Sequence, residues 1–381
     1  MKAAGARTGP APQRLLLAFA LLTALAAGSQ ALPVLWEMPP AGWHGLFAIG
    51  ALPMILTAMG YFVPVLTRSA SAPRQLALIP LAALLAGGAI VLYFLGSLPT
   101  ARFWAPWLGV AAALSLSFWL QRRRRRACLG APHPGLAWYA VALGFLALAL
   151  AAVGISALIP SLTASLRLFH LHANLLGFMG ITALGTLQVL LPTVAGGPDP
   201  AAAERLRRHL PLVAAGALLV ALGAAAWPPL AVIGALLYLW PWAALMQSGS
   251  RLLRRHGTAN ALPLLAGALA GLGLGLGHGA AHGLGFLPGR AALPLFAIAF
   301  LLPLVSGALA QLLPIWLRPG VQEEWHHTTR QRLARLAWPR GLLLPVAGMM
   351  AATGHAAGLW IALVAALWLL VGVLRAVLAR P

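Results

Sequence analysis

Apolar runs of about 20 residues, broken by bursts of arginine, constrain this chain more than any other feature. The clearest example is Ala101 to Leu120, which ends in the uninterrupted run Arg122 to Arg126. A run of that length matches the hydrocarbon thickness of a bilayer when helical, and the pattern recurs along all 381 residues. Lys and Arg number 26 against 5 Asp and Glu, and charged residues make up 8% of the chain. Soluble domains carry roughly a quarter. The composition therefore excludes a soluble globular protein. A nucleic-acid binder is also excluded, since its positive charge would line one polar face, whereas here the bases sit between apolar runs.

Hydropathy and Arg/Pro/Gly punctuation predict an all-α polytopic bundle of about twelve transmembrane helices. They fall near 14–35, 44–67, 74–97, 102–121, 136–160, 167–195, 209–227, 229–248, 260–287, 291–316, 338–356 and 357–378. The first span has the look of a signal-peptide apolar region but runs on through Trp36 into the membrane domain, so it is read as a helix after a short tail, 1–13. With the N-terminus in the cytoplasm, 23 of the 26 bases fall in inner segments and only Arg102, Arg167 and Arg290 in outer ones. Such a bias predicts both termini inside, in a bacterial inner membrane.

The five acids, Glu37, Asp199, Glu204, Glu323 and Glu324, all lie outside the apolar runs. A proton pump or cation-coupled transporter usually needs a carboxylate at membrane depth, so the expectation is against pumping. The lone cysteine, Cys128, excludes an internal disulfide, a CxxC metal site and a CxxCH haem attachment.

Three segments, 44–64, 172–192 and 294–314, each reach a closing proline, Pro64, Pro192 or Pro314, 20 positions after their start. Leu46-Phe47-Ala48-Ile49 recurs as Leu295-Phe296-Ala297-Ile298, and Pro53 as Pro303. The chain thus reads as a single membrane domain of three four-helix pseudo-repeats, about 14–121, 136–248 and 260–378.

Five histidines (His133, His209, His256, His326 and His327) lie beside arginines in cytoplasmic segments and are expected to be solvated or at lipid headgroups. The other six, His44, His170, His172, His278, His282 and His355, lie within or beside helices in the outer half. Ionisable side chains in spans are rare and face a bundle interior or cavity, and imidazole is the commonest metal and haem ligand. His170 and His172 are about 200° apart on a helix and serve different flanks. His278 and His282 share a face and suit one metal or two stacked ligands. Gly277, Gly279 and Gly283 beside them would admit a flat macrocycle or another helix. Two plainer readings stand beside these: His44 after Trp43 as an interfacial anchor, and His278 with His282 as interhelical hydrogen bonders. The glycine runs between 265 and 285 are helix-packing surfaces rather than a nucleotide loop, since no strand precedes them. His355 falls in a turn and is the weakest metal candidate, after His278 and His282.

His44 followed by Leu52-Pro53-Met54-Ile55 and Gly60-Tyr61-Phe62-Val63-Pro64 resembles the second transmembrane helix of haem–copper oxidase subunit I. That helix begins with a low-spin haem ligand. His170-Leu171-His172-Ala173-Asn174-Leu175-Leu176-Gly177-Phe178 resembles the H-x-H-x-x-x-x-G-F segment of the NnrS family and a similar stretch in oxidase-subunit-I-like membrane proteins. The motifs cover about 60 residues. The resemblance implies a twelve-helix fold and non-covalent, b-type haem, with copper as a second candidate. It implies a link to nitric oxide, another diatomic gas or nitrosative stress, or to respiratory electron transfer beside a respiratory-chain partner. By that resemblance His44 pairs with His170 or His172 on a haem, and His278 with His282 serve a second haem or metal. Departures from the oxidases are equally specific. The tenth predicted span has no histidine, no H-x-x-x-Tyr or H-x-x-x-Glu is present, and His326-His327 falls on the cytoplasmic side. Proton-pumping oxygen reduction is therefore not expected; if the chain turns over, it is an oxidoreductase without pumping. A small-molecule transporter and a non-catalytic assembly or partner subunit are the alternatives. The arginines are explained by topology and anionic lipid, with no role for nucleic acid.

Overall fold

The computed structural model describes residues 39–257 and 260–378, with four further positions, 18, 19, 22 and 25. The predicted tail, Glu37 and most of the predicted span 14–35 lie outside the described residues. No strand occurs among the described residues, and ten helices there are long and apolar enough to cross a membrane. That is the pattern of a multi-pass membrane protein. Two compact units divide the chain at Leu136.

The first unit contains α1 (Pro39–Thr67), α2 (Arg74–Phe94) and α3 (Ala101–Arg126). Ala86 and Ala89 of α2 meet Ala101 and Ala105 of α3 in a seam of small side chains, the packing that close helix approach in lipid requires. Residues Gly45–Ala51 of α1 form a π turn, and Gly87 of α2 packs against Ala48 within it so closely that a Cβ there would lie 2.5 Å from the Ala48 carbonyl oxygen. Arginines tie off the loops at the other end of this unit. Arg68, in a left-handed conformation that closes α1, donates to the Ala131 carbonyl at 2.7 Å. Arg123 donates to Ser69 Oγ at 2.8 Å and to the carbonyls of Ala70 and Ser71.

The second unit holds α4 (Gly135–Leu158, from Ala137 on), α5 (Pro160–Val194), α6 (Ala202–Ala225), α7 (Pro228–His256), α8 (Leu262–Gly283) and α9 (Ala292–Leu317). It continues with the short α10 (Glu324–Leu333), α11 (Ala337–Ala352) and α12 (Ala356–Leu378). Within its most apolar window α5 is 78% buried, whereas α7 and α12 are each 22% buried. Side chains such as Leu236, Trp240, Trp360 and Val364 stand exposed on those two helices, as a lipid-facing surface demands. Trp138 Nε1 donates to the Leu206 carbonyl at 2.9 Å, joining α4 to α6. Glycines set the crossings: Gly216 against Gly234 joins α6 to α7, Gly267 against Gly341 joins α8 to α11, and Gly271 against Ala299 joins α8 to α9.

Two further π turns, Ala173–Gly180 in α5 and Leu295–Leu301 in α9, begin one residue after His172 and Pro294, as the first begins one residue after His44. The three segments also end alike: the carbonyls of Pro64, Pro192 and Pro314 accept from the amides of Ser69, Gly197 and Arg318 at 3.0, 3.1 and 3.0 Å.

Several predicted boundaries shift for one reason. Arg122–Arg126, Arg205–Arg208 and Arg251–Arg255 continue helices instead of forming loops. Arginine is a good helix former, and cations near a helix C-terminus also complement its dipole. Between the predicted spans 291–316 and 338–356 the chain forms a further short helix, α10, whose start is a reciprocal cap between Glu323 and His326. That cap corrects the expected solvated role of His326, which is buried, accepts from the Glu323 amide at 3.0 Å and donates Nε2–H to the Arg318 carbonyl at 2.8 Å. His209 is buried as well, whereas His256 and His327 are exposed as expected. His133 is half-buried, and burial with the Arg68 charge beside it lowers its pKa.

Candidate functional site

Each histidine predicted as a ligand, except His355, uses one ring nitrogen on a backbone carbonyl. A carbonyl only accepts, so each bond assigns the proton. In the first unit, His44 is the last residue before the π turn of α1. Its Nδ1–H donates to the Pro40 carbonyl at 2.7 Å, and its ring lies 4.8 Å from that of Phe94, centroid to centroid.

In the second unit, α5 presents His170 and His172 from the turn before its π segment. His170 Nδ1–H donates to the Ala149 carbonyl of α4 at 3.0 Å. Asn174 lies 3.2 Å from the same nitrogen, but an N–H there cannot accept, so the amide donates to the His170 carbonyl, 3.0 Å away. His172 Nδ1–H donates to the Leu168 carbonyl at 2.9 Å, one turn back. The two rings thus address different partners.

On α8, His278 is buried and His282 exposed. They share a face but use opposite nitrogens on consecutive carbonyls of the following turn. His278 Nε2–H donates to Pro288 at 3.2 Å, and His282 Nδ1–H to Leu287 at 2.8 Å. His282 Nε2 faces Gly289, where a Cβ would sit 2.6 Å from it. His172 and His282 come from different helices and lie within electrostatic range of each other. His355 stands apart in the exposed turn between α11 and α12, its Nδ1 2.9 Å from Thr353 Oγ1.

Gly277, Gly279 and Gly283 flank the α8 pair, and a Cβ at any of them would meet nothing within 4 Å. They differ in this from Gly267, Gly271 and Gly273 lower on the same helix, where a Cβ would collide with Gly341, Ala299 and Trp242. The glycine run therefore divides into a packing half and an open half. Among the described residues no three His, Cys, Asp or Glu side chains form a cluster that could hold a metal ion, so His278, His282 and His355 make no such trio.

Two contributors carried no sequence signal. Tyr238 of α7 is fully buried, and its hydroxyl donates at 3.2 Å to the Leu176 carbonyl inside the α5 π turn. Phe145 of α4 packs against Gly177 of the same turn. Both fix the segment that follows His172.

No protein-family model and no curated protein matches this chain.

Proposed function

We propose that this chain is an integral membrane haem-binding protein of the NnrS or oxidase-subunit-I-like type, serving respiratory electron transfer or the response to nitric oxide. His172 and His282 carry the reading. They come from different helices, lie within electrostatic reach of each other, and each donates Nδ1–H to a backbone carbonyl. That leaves Nε2 as the lone-pair nitrogen, the tautomer an iron-ligating imidazole needs, with the carbonyl acting as the outer partner that orients the ring. His44 and His170 hold the same tautomer and are further candidate ligands. His278 is protonated on the other nitrogen and instead anchors the turn that carries Leu287 and Pro288.

The residues at hand fit a haem. Two neutral imidazoles, His172 and His282, could hold a haem iron without a third side chain, and Gly279 and Gly283, which share a face of α8 where a Cβ would meet nothing within 4 Å, leave space beside them for a flat, apolar macrocycle. When bound, haem would supply an iron that exchanges electrons and binds a diatomic gas where an axial position is open. The chain's own part is to hold ring orientation through Leu168 and Leu287 and to exclude water with apolar helices, and an iron on His282 Nε2 would require the Gly289 backbone, which that nitrogen faces, to move aside. Copper has weaker support, since no cluster of three ligands accompanies the pair among the described residues.

The finer topology belongs to the same proposal: twelve spans in three pseudo-repeats, with both termini on the cytoplasmic side of a bacterial inner membrane. Its support is the recurrence of a π turn at 45, 173 and 295 and the 23-to-3 bias of the bases. The deciding experiment is a reduced-minus-oxidised spectrum of detergent-purified protein with metal analysis. Soret and α bands with haem near one per chain are expected. Less than about a tenth of a haem per chain, with neither band, would overturn the reading. Substrate uptake into proteoliposomes by cofactor-free protein would then favour a transporter, and co-purification with a respiratory complex a partner subunit.

A further inference from the structure

Arg340 is in the first turn of α11, where a cation opposes the helix dipole, yet its side chain is only 7% exposed. Nη1 donates to the carbonyls of Leu333 and Arg335 at 3.3 and 3.4 Å, closing the end of α10. The other edge of the guanidinium, Nε with Nη2, is buried and has no hydrogen-bond partner among the described residues. A guanidinium keeps its charge in a protein, and a buried cation with open donors is costly. The Nε–Nη2 edge is also the fork that grips a phosphate or carboxylate through two parallel bonds.

The described carboxylates are occupied or placed elsewhere. Asp199 pairs with Arg205 at 2.7 Å, Glu323 caps α10, Glu204 lies in the first turn of α6, and Glu324 is exposed at the start of α10. The setting indicates what could supply the anion. Arg332 and Arg335 stand exposed just before α11, followed by exposed Trp338 and then exposed Leu342, Leu343 and Val346. Bases, then an interfacial tryptophan, then an apolar outer face is the order met on passing from water through headgroups into hydrocarbon. Arg340 lies at the headgroup level of that sequence.

We propose that the Arg340 fork binds the phosphodiester of an acidic phospholipid, with the acyl chains lying along the apolar face of α11. Basic pockets between helices commonly hold such headgroups. Neither fork nitrogen reaches the surface, so the phosphate enters by displacing the side chains over it. That sets the site apart from the exposed arginines, which meet lipid without rearrangement.

The test uses the full chain, delipidated in detergent and titrated separately with phosphatidylglycerol, phosphatidylcholine, oleate and inorganic phosphate, reading the thermal midpoint and lipid retained by mass spectrometry. Phosphatidylglycerol is expected to stabilise the wild type most. Arg340→Lys, which keeps the charge but loses the fork, should weaken that effect roughly tenfold, and Arg335→Gln should leave it nearly unchanged. Equal response in Arg340→Lys and wild type would overturn the site. An equal loss in Arg335→Gln would reduce it to a diffuse field, and equal stabilisation by inorganic phosphate would show a free-anion site; either overturns the lipid proposal. Should Arg340→Lys not fold, salt decides on the wild type. A buried fork is screened far less than surface charge, so persistence of the phosphatidylglycerol effect in 0.5 M salt supports the site and its disappearance overturns it.

Discussion

Helices α5 and α9 share a local plan and carry different side chains on it. Each contains a π turn, at Ala173–Gly180 and Leu295–Leu301, and each has in its last turn a proline whose carbonyl accepts from a following amide. In both, glycine contacts hold the wide turn. Gly271 and Gly348 close on Ala299 in α9, while in α5 the turn's own Gly177 and Gly180 receive Phe145 and Tyr238. Yet α5 brings His170, His172 and Asn174 to its turn, and α9 brings Pro294 followed by an apolar run. The π turn is therefore not a consequence of the histidines. It is a feature of the scaffold, held by packing, on which histidines are present or absent.

The sharpest break of this comparison is expected from matched truncations at the two turns. If His172 holds a haem as proposed, His172→Ala should abolish the haem spectrum while leaving helical circular dichroism intact. Leu295→Ala, at the first residue of the α9 turn and fully buried, should cost about 2–5 kcal/mol of stability and leave the spectrum of the folded fraction unchanged. A full spectrum in His172→Ala would remove that residue from the site, and a lost spectrum in folded Leu295→Ala would show that α9 takes part in it too.

The next largest effect separates packing from opening on α8. Gly271→Ala places a methyl group into the Ala299 backbone of the α9 turn, and backbone cannot move aside as a flexible side chain can. A loss of about 3 kcal/mol is expected, seen as a lower thermal midpoint. Gly277→Ala, six residues on, enters open space and should change stability by less than about 1 kcal/mol, in the stabilising direction that helix propensity gives. Similar losses at both positions would mean that the two halves of the glycine run are not distinct.

Much of this plan was legible in the sequence, and the parts that were not share a cause. The apolar runs, the turns near Pro228 and Gly354 and the common phase of segments 44–64, 172–192 and 294–314 follow from hydropathy and proline, both local signals. The π turns were not legible, because what sustains them is a long-range contact: Gly87 on Ala48, or Phe145 on Gly177. The histidines could be picked out as a group by depth, but not their tautomers, since the deciding carbonyls include Ala149, 21 positions from His170. Arg340 counted as one more inner arginine. Burial distinguishes it from Arg335, and composition carries no trace of burial.

A smaller effect is expected where α5 alone has a polar brace. Tyr238→Phe removes the hydroxyl that donates to the Leu176 carbonyl but keeps the ring. Leu176 still accepts from the Ile181 amide, so the loss should be about 1 kcal/mol. Because the brace sits one turn from His172, the variant should keep its full haem content and shift the low-spin resonance that reports axial-ring orientation. A stability loss with an unmoved resonance would make Tyr238 a packing residue only.

The smallest effect concerns the prolines. Pro303 follows the α9 turn nine residues after Pro294, and Pro53 follows the α1 turn nine residues after His44, but the same place in α5 is Ile181. Proline lacks the amide that an α-helix would use there, which offers a local cause for each widened turn. Helix α5 keeps its π turn with that amide present and donating to Leu176, so proline is not required where glycine packing suffices. Pro303→Ala should accordingly change stability by less than about 1 kcal/mol and leave amide protection across 297–302 as in the wild type. Protection spreading through that stretch as the turn tightens to an α-helix would reverse the assignment, making proline the cause in α9 and packing the cause in α5 alone.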